Sequence, residues 1–175
     1  MTPEKLELAR HLCLLLLAVV CVYTDLAKDR LYNAVTLTGV AAGLALALAF
    51  DAGSPGYAHV VQAVLSAALG GGILFLVYLA RGLGAGDVKF MAAVGALAGQ
   101  WRFTLIALVY TALVGAVIAL GILLWRRRLL QGLRDGLKTL VTFRAPKDAP
   151  ARLTLPYGVA IGIGTIWAWL ERYAM

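Results

Sequence analysis

Long apolar blocks, broken only by short polar gaps, constrain this chain more than any other feature. Of its 175 residues, 62% are hydrophobic and 14% are charged, whereas a soluble domain carries about 25% charged residues. Several blocks reach the roughly 20 residues that carry a helix across a hydrocarbon core. Because lipid offers the backbone no hydrogen-bond partners, such blocks are expected to be helices. The sequence therefore predicts an all-α membrane protein with one domain over residues 1–175.

Six transmembrane helices are predicted, packed as one bundle. Their approximate ranges are 3–25, 31–50, 59–80, 87–99, 103–125 and 153–170. The fourth is short, since about 13 residues give roughly 20 Å of helix against a core of about 30 Å. Its start is therefore expected either below the lipid surface or within the glycine-rich break before it.

The basic residues predict the orientation in the membrane. Of the 16 lysines and arginines, all but Lys5, Arg10, Arg102 and Arg172 fall on the side of the loops after the first, third and fifth helices. That side should be cytoplasmic, with both termini outward. The net charge of +7 is thus explained by topology, and nucleic-acid binding is not expected. Residues 126–152 form a basic cytoplasmic loop, for which a solvated loop and an amphipathic surface helix fit equally well.

Several catalytic chemistries lack the residues they need. Ser54 lies in a turn and Ser66 in a helix, and neither has a nearby base that would activate it. His11 and His59 are far apart in the chain, and no H-E-x-x-H motif is present. We therefore expect no metal site and no cofactor, and carboxylates remain as the catalytic candidates.

Three aspartates lie at predicted cytoplasmic helix ends: Asp25, Asp29 and Asp87. A carboxylate within a membrane segment is costly and is a functional candidate by default. Two neighbouring carboxylates share one proton, so that one can activate water while the other polarises a peptide carbonyl. The alternative is purely structural, with Asp25 ending a helix and Asp87 capping one.

The surroundings of Asp87 favour the catalytic interpretation. Gly84 and Gly86 precede it, and glycines allow the close backbone approach that an extended substrate needs. Lys89 follows two positions later and could pair with a carboxylate or a lipid phosphate, or simply reflect the positive-inside charge pattern.

Residues 84–99, Gly-Ala-Gly-Asp-Val-Lys-Phe-Met-Ala-Ala-Val-Gly-Ala-Leu-Ala-Gly, resemble the GxGD signature and following helix of the type IV prepilin peptidases. Residues 25–33, Asp-Leu-Ala-Lys-Asp-Arg-Leu-Tyr-Asn, resemble that family's other aspartate site. The resemblance implies that Asp25, rather than Asp29, is the partner of Asp87, and that Asn33 is a recurrent site residue. Residues 155–158, Leu-Pro-Tyr-Gly, resemble a family segment that opens the last helix, so Pro156, Tyr157 and Gly158 are implied to shape the site.

The resemblance implies an aspartyl endopeptidase in the cytoplasmic membrane of a prokaryote. Its substrate would be a membrane-anchored prepilin whose short basic leader is cut at the cytoplasmic face. The chain is similar to the short members that serve tight-adherence (Flp-type) pili or archaeal pilins and flagellins. It lacks the cysteine-bearing N-terminal domain of the methylating members, so N-methyltransferase activity is not expected.

Two positions depart from the family pattern. Tyr32 and Val159 stand where proline is common, and neither departure is expected to touch the aspartates.

Two other functions fit the composition: a small transporter that uses Asp25, Asp87 and Lys89 as an ion relay, or a non-catalytic pilus assembly factor. The sequence does not fix the distance between the aspartates, the oligomeric state or the particular pilin.

Overall fold

A computed structural model describes residues 2–28, 30–52, 56–80, 83–125 and 157–174. All regular structure within these ranges is helical, which confirms the predicted all-α class. The helices are α1 (Pro3–Lys28), α2 (Asn33–Asp51), α3 (Ala58–Leu79), α4 (Ala85–Ala98), α5 (Trp101–Trp125) and α6 (Tyr157–Ala174). The proposed basic loop at residues 126–152 lies outside the described residues.

Four of these helices are long and apolar enough to cross a membrane: α1, α2, α3 and α5. Their most apolar windows have mean hydropathies between 1.8 and 2.5. Helix α4 has 14 residues and is therefore only about 21 Å long, in agreement with the short fourth helix that the sequence predicts. The chain is an integral membrane protein.

Helix α4 lies at the centre of the described bundle and contacts each of the other five helices. Glycines and alanines let its neighbours approach closely. A Cβ atom added to Gly43 of α2 would lie 2.5 Å from the carbonyl carbon of Ala96, and one added to Gly95 of α4 would collide with the backbone of Ser66. Small residues thus serve close helix packing here.

Helix α3 contains three consecutive glycines at residues 70–72. A Cβ at Gly70 would lie 3.0 Å from the carbonyl oxygen of Met91, and one at Gly71 would lie 3.1 Å from the Cβ of Ala92. Both contacts are with α4. Gly72 faces open space, since an added Cβ would meet no atom within 4 Å. Two of the three glycines therefore bring α3 against the central helix.

Helix ends differ from the predicted ones where the aspartates lie. Helix α1 continues to Lys28, because Leu26, Ala27 and Lys28 are good helix formers. Asp25 is therefore inside a helix and does not terminate it. Helix α4 begins at Ala85, before Asp87, and α6 extends to Ala174, past its predicted end at residue 170.

Candidate active site

Asp25 lies on the buried face of α1, with 9% of its surface exposed. Its Oδ2 atom accepts a hydrogen bond of 3.1 Å from the backbone N–H of Val159. Val159 is the third residue of α6, where backbone N–H groups have no partner within the helix. The carboxylate of α1 therefore caps the N-terminus of α6, the end at which the helix dipole favours negative charge.

The first two residues of α6 also face the site. A Cβ added to Gly158 would lie 2.7 Å from Asp25 Oδ2, so only glycine fits beside this carboxylate. Tyr157 is half-buried and is the first residue of α6. Of the three residues predicted to shape the site, Gly158 thus lies against Asp25, Tyr157 precedes it at the same helix start, and Pro156 lies outside the described residues.

Asp87 is the third residue of α4 and is 8% exposed. Its Oδ2 atom accepts a hydrogen bond of 3.0 Å from the backbone N–H of Gly84, which precedes the helix in an extended conformation. A capping interaction is therefore present, but it comes from the third helical position, whereas the structural alternative placed Asp87 at the helix start.

Both carboxylates lie at the same end of the bundle. The three helices that carry and hold them, α1, α4 and α6, all contact one another. Each carboxylate is more than nine-tenths buried, and each accepts a backbone N–H at the start of a helix. The chain thus brings two acidic groups from α1 and α4 to one place, with their orientations fixed by the backbone.

Two contacts join the start of α2 to the first turns of α4. A Cβ added to Gly86 would lie 3.0 Å from the Cβ of Leu31, so the close approach at Gly86 is made by the chain itself. Lys89 Nζ donates a hydrogen bond of 2.9 Å to Asn33 Oδ1. A carboxylate was one of the alternative partners considered for Lys89, and the hydrogen bond seen here is with an amide oxygen.

Of the two departures from the family pattern, one does touch an aspartate. The expectation that Val159 stays clear of the aspartates is wrong, because its N–H binds Asp25. A proline at this position would have no N–H to donate. Tyr32 has a different role: it is the N-cap residue of α2, and the ammonium of Lys28 lies 5.4 Å from its ring centroid.

Val159 and Leu31 are two residues near the aspartates to which the sequence assigned no role there. Val159 stood out only as a departure from the family pattern, since its contribution comes from the backbone. Leu31 carries the ordinary signal of an apolar residue before a helix, which does not distinguish it from many others.

Within the described ranges, the His, Cys, Asp and Glu side chains form no group of three that could ligate a metal.

A third buried carboxylate, Asp51, lies at the opposite end of the bundle. Its oxygens accept hydrogen bonds from the backbone N–H groups of His59, at 3.1 Å, and Val60, at 3.0 Å. His59 Nδ1 lies 2.7 Å from Asp51 Oδ1, and its ring stacks on Phe50. Asp51 thus caps α3 and closes the turn between α2 and α3.

Comparison with known proteins gives one family. The model of the type IV leader peptidase family matches residues 12–120, more than half of the chain, and this range includes both Asp25 and Asp87. No curated protein and no solved structure gives a significant match.

Proposed function

Because this chain belongs to the type IV leader peptidase family, we propose that it is an aspartyl endopeptidase that removes the short basic leader from prepilin-like proteins. One observation carries the proposal: Asp25 and Asp87, separated in sequence by two membrane helices, are both buried at one end of the bundle, and each accepts a backbone N–H at the start of a helix. A pair of close carboxylates is a complete apparatus for peptide hydrolysis.

The reaction needs one proton shared between the two aspartates. The ionised carboxylate takes a proton from water, whose oxygen then attacks the carbonyl carbon of the scissile peptide. The protonated carboxyl group hydrogen-bonds to the carbonyl oxygen, and a proton is delivered to the amine when the C–N bond breaks. Since coupled carboxylates titrate as a pair, the proposal assigns the roles of acid and base to the pair.

The backbone supports this chemistry by fixing both carboxylates. Val159 holds Asp25 and Gly84 holds Asp87, in each case through an N–H group at the start of a helix. Such preorganised donors need no rearrangement during the reaction. Gly158 leaves the space that the Asp25 carboxylate occupies, and Tyr157, the first residue of α6, is proposed as a further site-shaping residue.

The proposed setting is a six-helix bundle in the cytoplasmic membrane of a prokaryote, with the site at the cytoplasmic face and both termini outward. Supporting this, the aspartates lie at the end of the bundle where α1 finishes and α4 begins, and most lysines and arginines lie in the loops on that side. A prepilin would present its leader there, just before its own apolar helix. Methyl transfer is not part of the proposal.

The positions of the polar residues of α3 argue against the alternative function, a transporter with an ion relay. A transporter would need polar groups that continue from the aspartates through the membrane. Gln62 is exposed on the outer surface of α3, and Ser66 is fully buried against Gly95. These two residues therefore do not line one path with the aspartates.

Cleavage of a co-expressed prepilin tests the proposal. The wild-type protein should release the leader, seen as a gel shift and as the mass of the new N-terminus. Asp25→Asn and Asp87→Asn should each lower the rate by roughly 10²- to 10⁴-fold, the usual contribution of acid–base catalysis. Asp51→Asn is the matched control, because it neutralises an equally buried carboxylate at the other end. Normal cleavage by either dyad variant at matched expression would exclude the aspartyl mechanism.

A further inference from the structure

The buried face of α1 carries a second charged residue besides Asp25. The buried residues of this helix are Leu6, Arg10, Leu14, Leu17, Ala18, Cys21 and Asp25, which follow one another at helical spacing. Arg10 is only 5% exposed. A buried cation in a membrane helix is costly and marks a functional role, and the proposed catalytic mechanism does not use it.

Arg10 packs on the C-terminal end of α4. Gly99, the C-cap of α4, has a positive φ of 59°, and its N–H bonds to the carbonyl oxygen of Gly95. A Cβ added to Gly99 would lie 2.7 Å from Nη2 of Arg10 and 3.0 Å from its Cζ. The guanidinium therefore lies directly on the backbone, at the end of α4 where the helix dipole favours a cation.

The same guanidinium also contacts α2. Its Cζ atom lies 4.7 Å from the ring centroid of Phe50, near the end of that helix. A planar cation can stack on an aromatic ring and face a helix terminus at the same time, which a lysine ammonium does less well. Arg10 thus links three helices at the end of the bundle opposite to the aspartates.

These contacts give α1 and α4 two points of alignment. At one end Arg10 lies on Gly99, and at the other Asp25 and Asp87 are buried near the end of α1 and the start of α4. At 1.5 Å per residue, about 22 Å of α1 separates Arg10 from Asp25, and about 18 Å of α4 separates Asp87 from Gly99. The two spans are similar, so an axial shift of α1 that moved Asp25 away from Asp87 would also pull Arg10 off Gly99.

We propose that Arg10 is a positioning residue that fixes the axial register of α1 on α4 and so sets Asp25 level with Asp87. Its consequence for cleavage rests on the proposed function, whereas the register itself does not. The two are therefore tested by separate measurements.

Pulsed electron paramagnetic resonance measures the register without catalysis. Spin labels are attached to cysteines at Leu26 of α1 and Ala85 of α4, both exposed near the aspartates, in a protein whose Cys13 and Cys21 are replaced by alanine. In Arg10→Gln we expect the distance between the labels to shift by about 2 Å, the size of helix movements at interfaces. Arg102→Gln makes the same charge change at an exposed position on the same side and should leave the distance unchanged.

An unchanged distance distribution in Arg10→Gln overturns the proposal. If that variant does not fold, Arg10→Lys replaces it, because lysine keeps the charge but lacks the planar guanidinium. A smaller shift of the distance is then expected, and a wild-type distribution overturns the proposal.

The consequence of the register for catalysis is tested by measuring prepilin cleavage. Arg10→Gln should lower kcat by about tenfold to 100-fold, as misplaced catalytic groups do, with KM within about twofold of wild type. The acid and alkaline limbs of the pH–rate profile should also move, since they report the coupled pair. A profile of wild-type shape with only a lower amplitude would mean that Arg10 affects stability alone. If the wild-type protein cleaves no prepilin, the proposed function fails, while the distance measurement still decides the register.

Discussion

The carboxylate of Asp25 accepts a hydrogen bond from the backbone N–H of Val159, a residue 134 positions further along the chain. The contact joins the first helix of the structure to its last described helix, and it lies within the candidate active site. The donor is a backbone group, so a substitution at Val159 changes the hydrogen bond only when it removes the N–H or displaces the start of α6.

Val159→Pro should weaken catalysis, because proline has no N–H to donate to Asp25. Proline is tolerated in the first turn of a helix, so the variant should still fold. A hydrogen bond to a charged group contributes about 1.5–3 kcal/mol, and we expect kcat for prepilin cleavage to fall by about tenfold to 100-fold. Val159→Ala keeps the N–H and is the control. Equal rates for the two variants would show that this hydrogen bond does not contribute to catalysis.

Gly158→Ala should lower the rate of prepilin cleavage more than the addition of one methyl group would suggest. The added Cβ would lie 2.7 Å from Oδ2 and 2.8 Å from Cγ of Asp25, so the carboxylate must move. Overpacking of this kind costs about 1–3 kcal/mol, and displacement of a catalytic group by about 1 Å can lower the rate roughly 100-fold. Gly72→Ala is the matched control, since its Cβ would meet no atom within 4 Å. Wild-type cleavage by Gly158→Ala would place Asp25 outside the catalytic step.

Asp51→Ala should lower stability and leave catalysis intact. The substitution removes the acceptor for the N–H groups of His59 and Val60, and loss of such a cap costs about 1–2 kcal/mol. Thermal unfolding in detergent should therefore show a lower Tm, and Asp51→Asn, which keeps an acceptor oxygen, should lie between Asp51→Ala and wild type. Cleavage per folded molecule should not change. A loss of cleavage without a loss of stability would assign Asp51 a catalytic role.

The sequence predicted the long helices well, because lipid leaves an apolar segment few alternatives. Helices α2, α3 and α5 begin and end within two residues of the predicted positions. The errors lie at the end of α6, which continues four residues past its predicted end, and at the aspartates, where polar residues and glycines suggested breaks. Helix α1 continues for three residues beyond Asp25, and α4 begins with Ala85 and Gly86, two residues before Asp87.

The site was predictable to the extent that side-chain chemistry reveals it. Asp25 and Asp87 stand out because few other carboxylates lie near cytoplasmic helix ends. Val159 could not be found, because every residue except proline has a backbone N–H and only the fold decides which one meets a carboxylate. From the sequence, Arg10 was used only as one of the basic residues that predict membrane orientation. Its position against Gly99 could not be predicted, because it depends on how two helices distant in sequence pack.

The central place of α4 also has a consequence for the order in which the protein is made. Three of its neighbours, α1, α2 and α3, leave the ribosome before it, and two, α5 and α6, leave afterwards. A nascent chain that ends before α6 already contains both aspartates, yet the N–H group of Val159 that holds Asp25 has not been synthesised. The candidate active site is thereby completed only after α6 has been made, and a chain that stops before α6 would retain the acidic pair without this hydrogen bond.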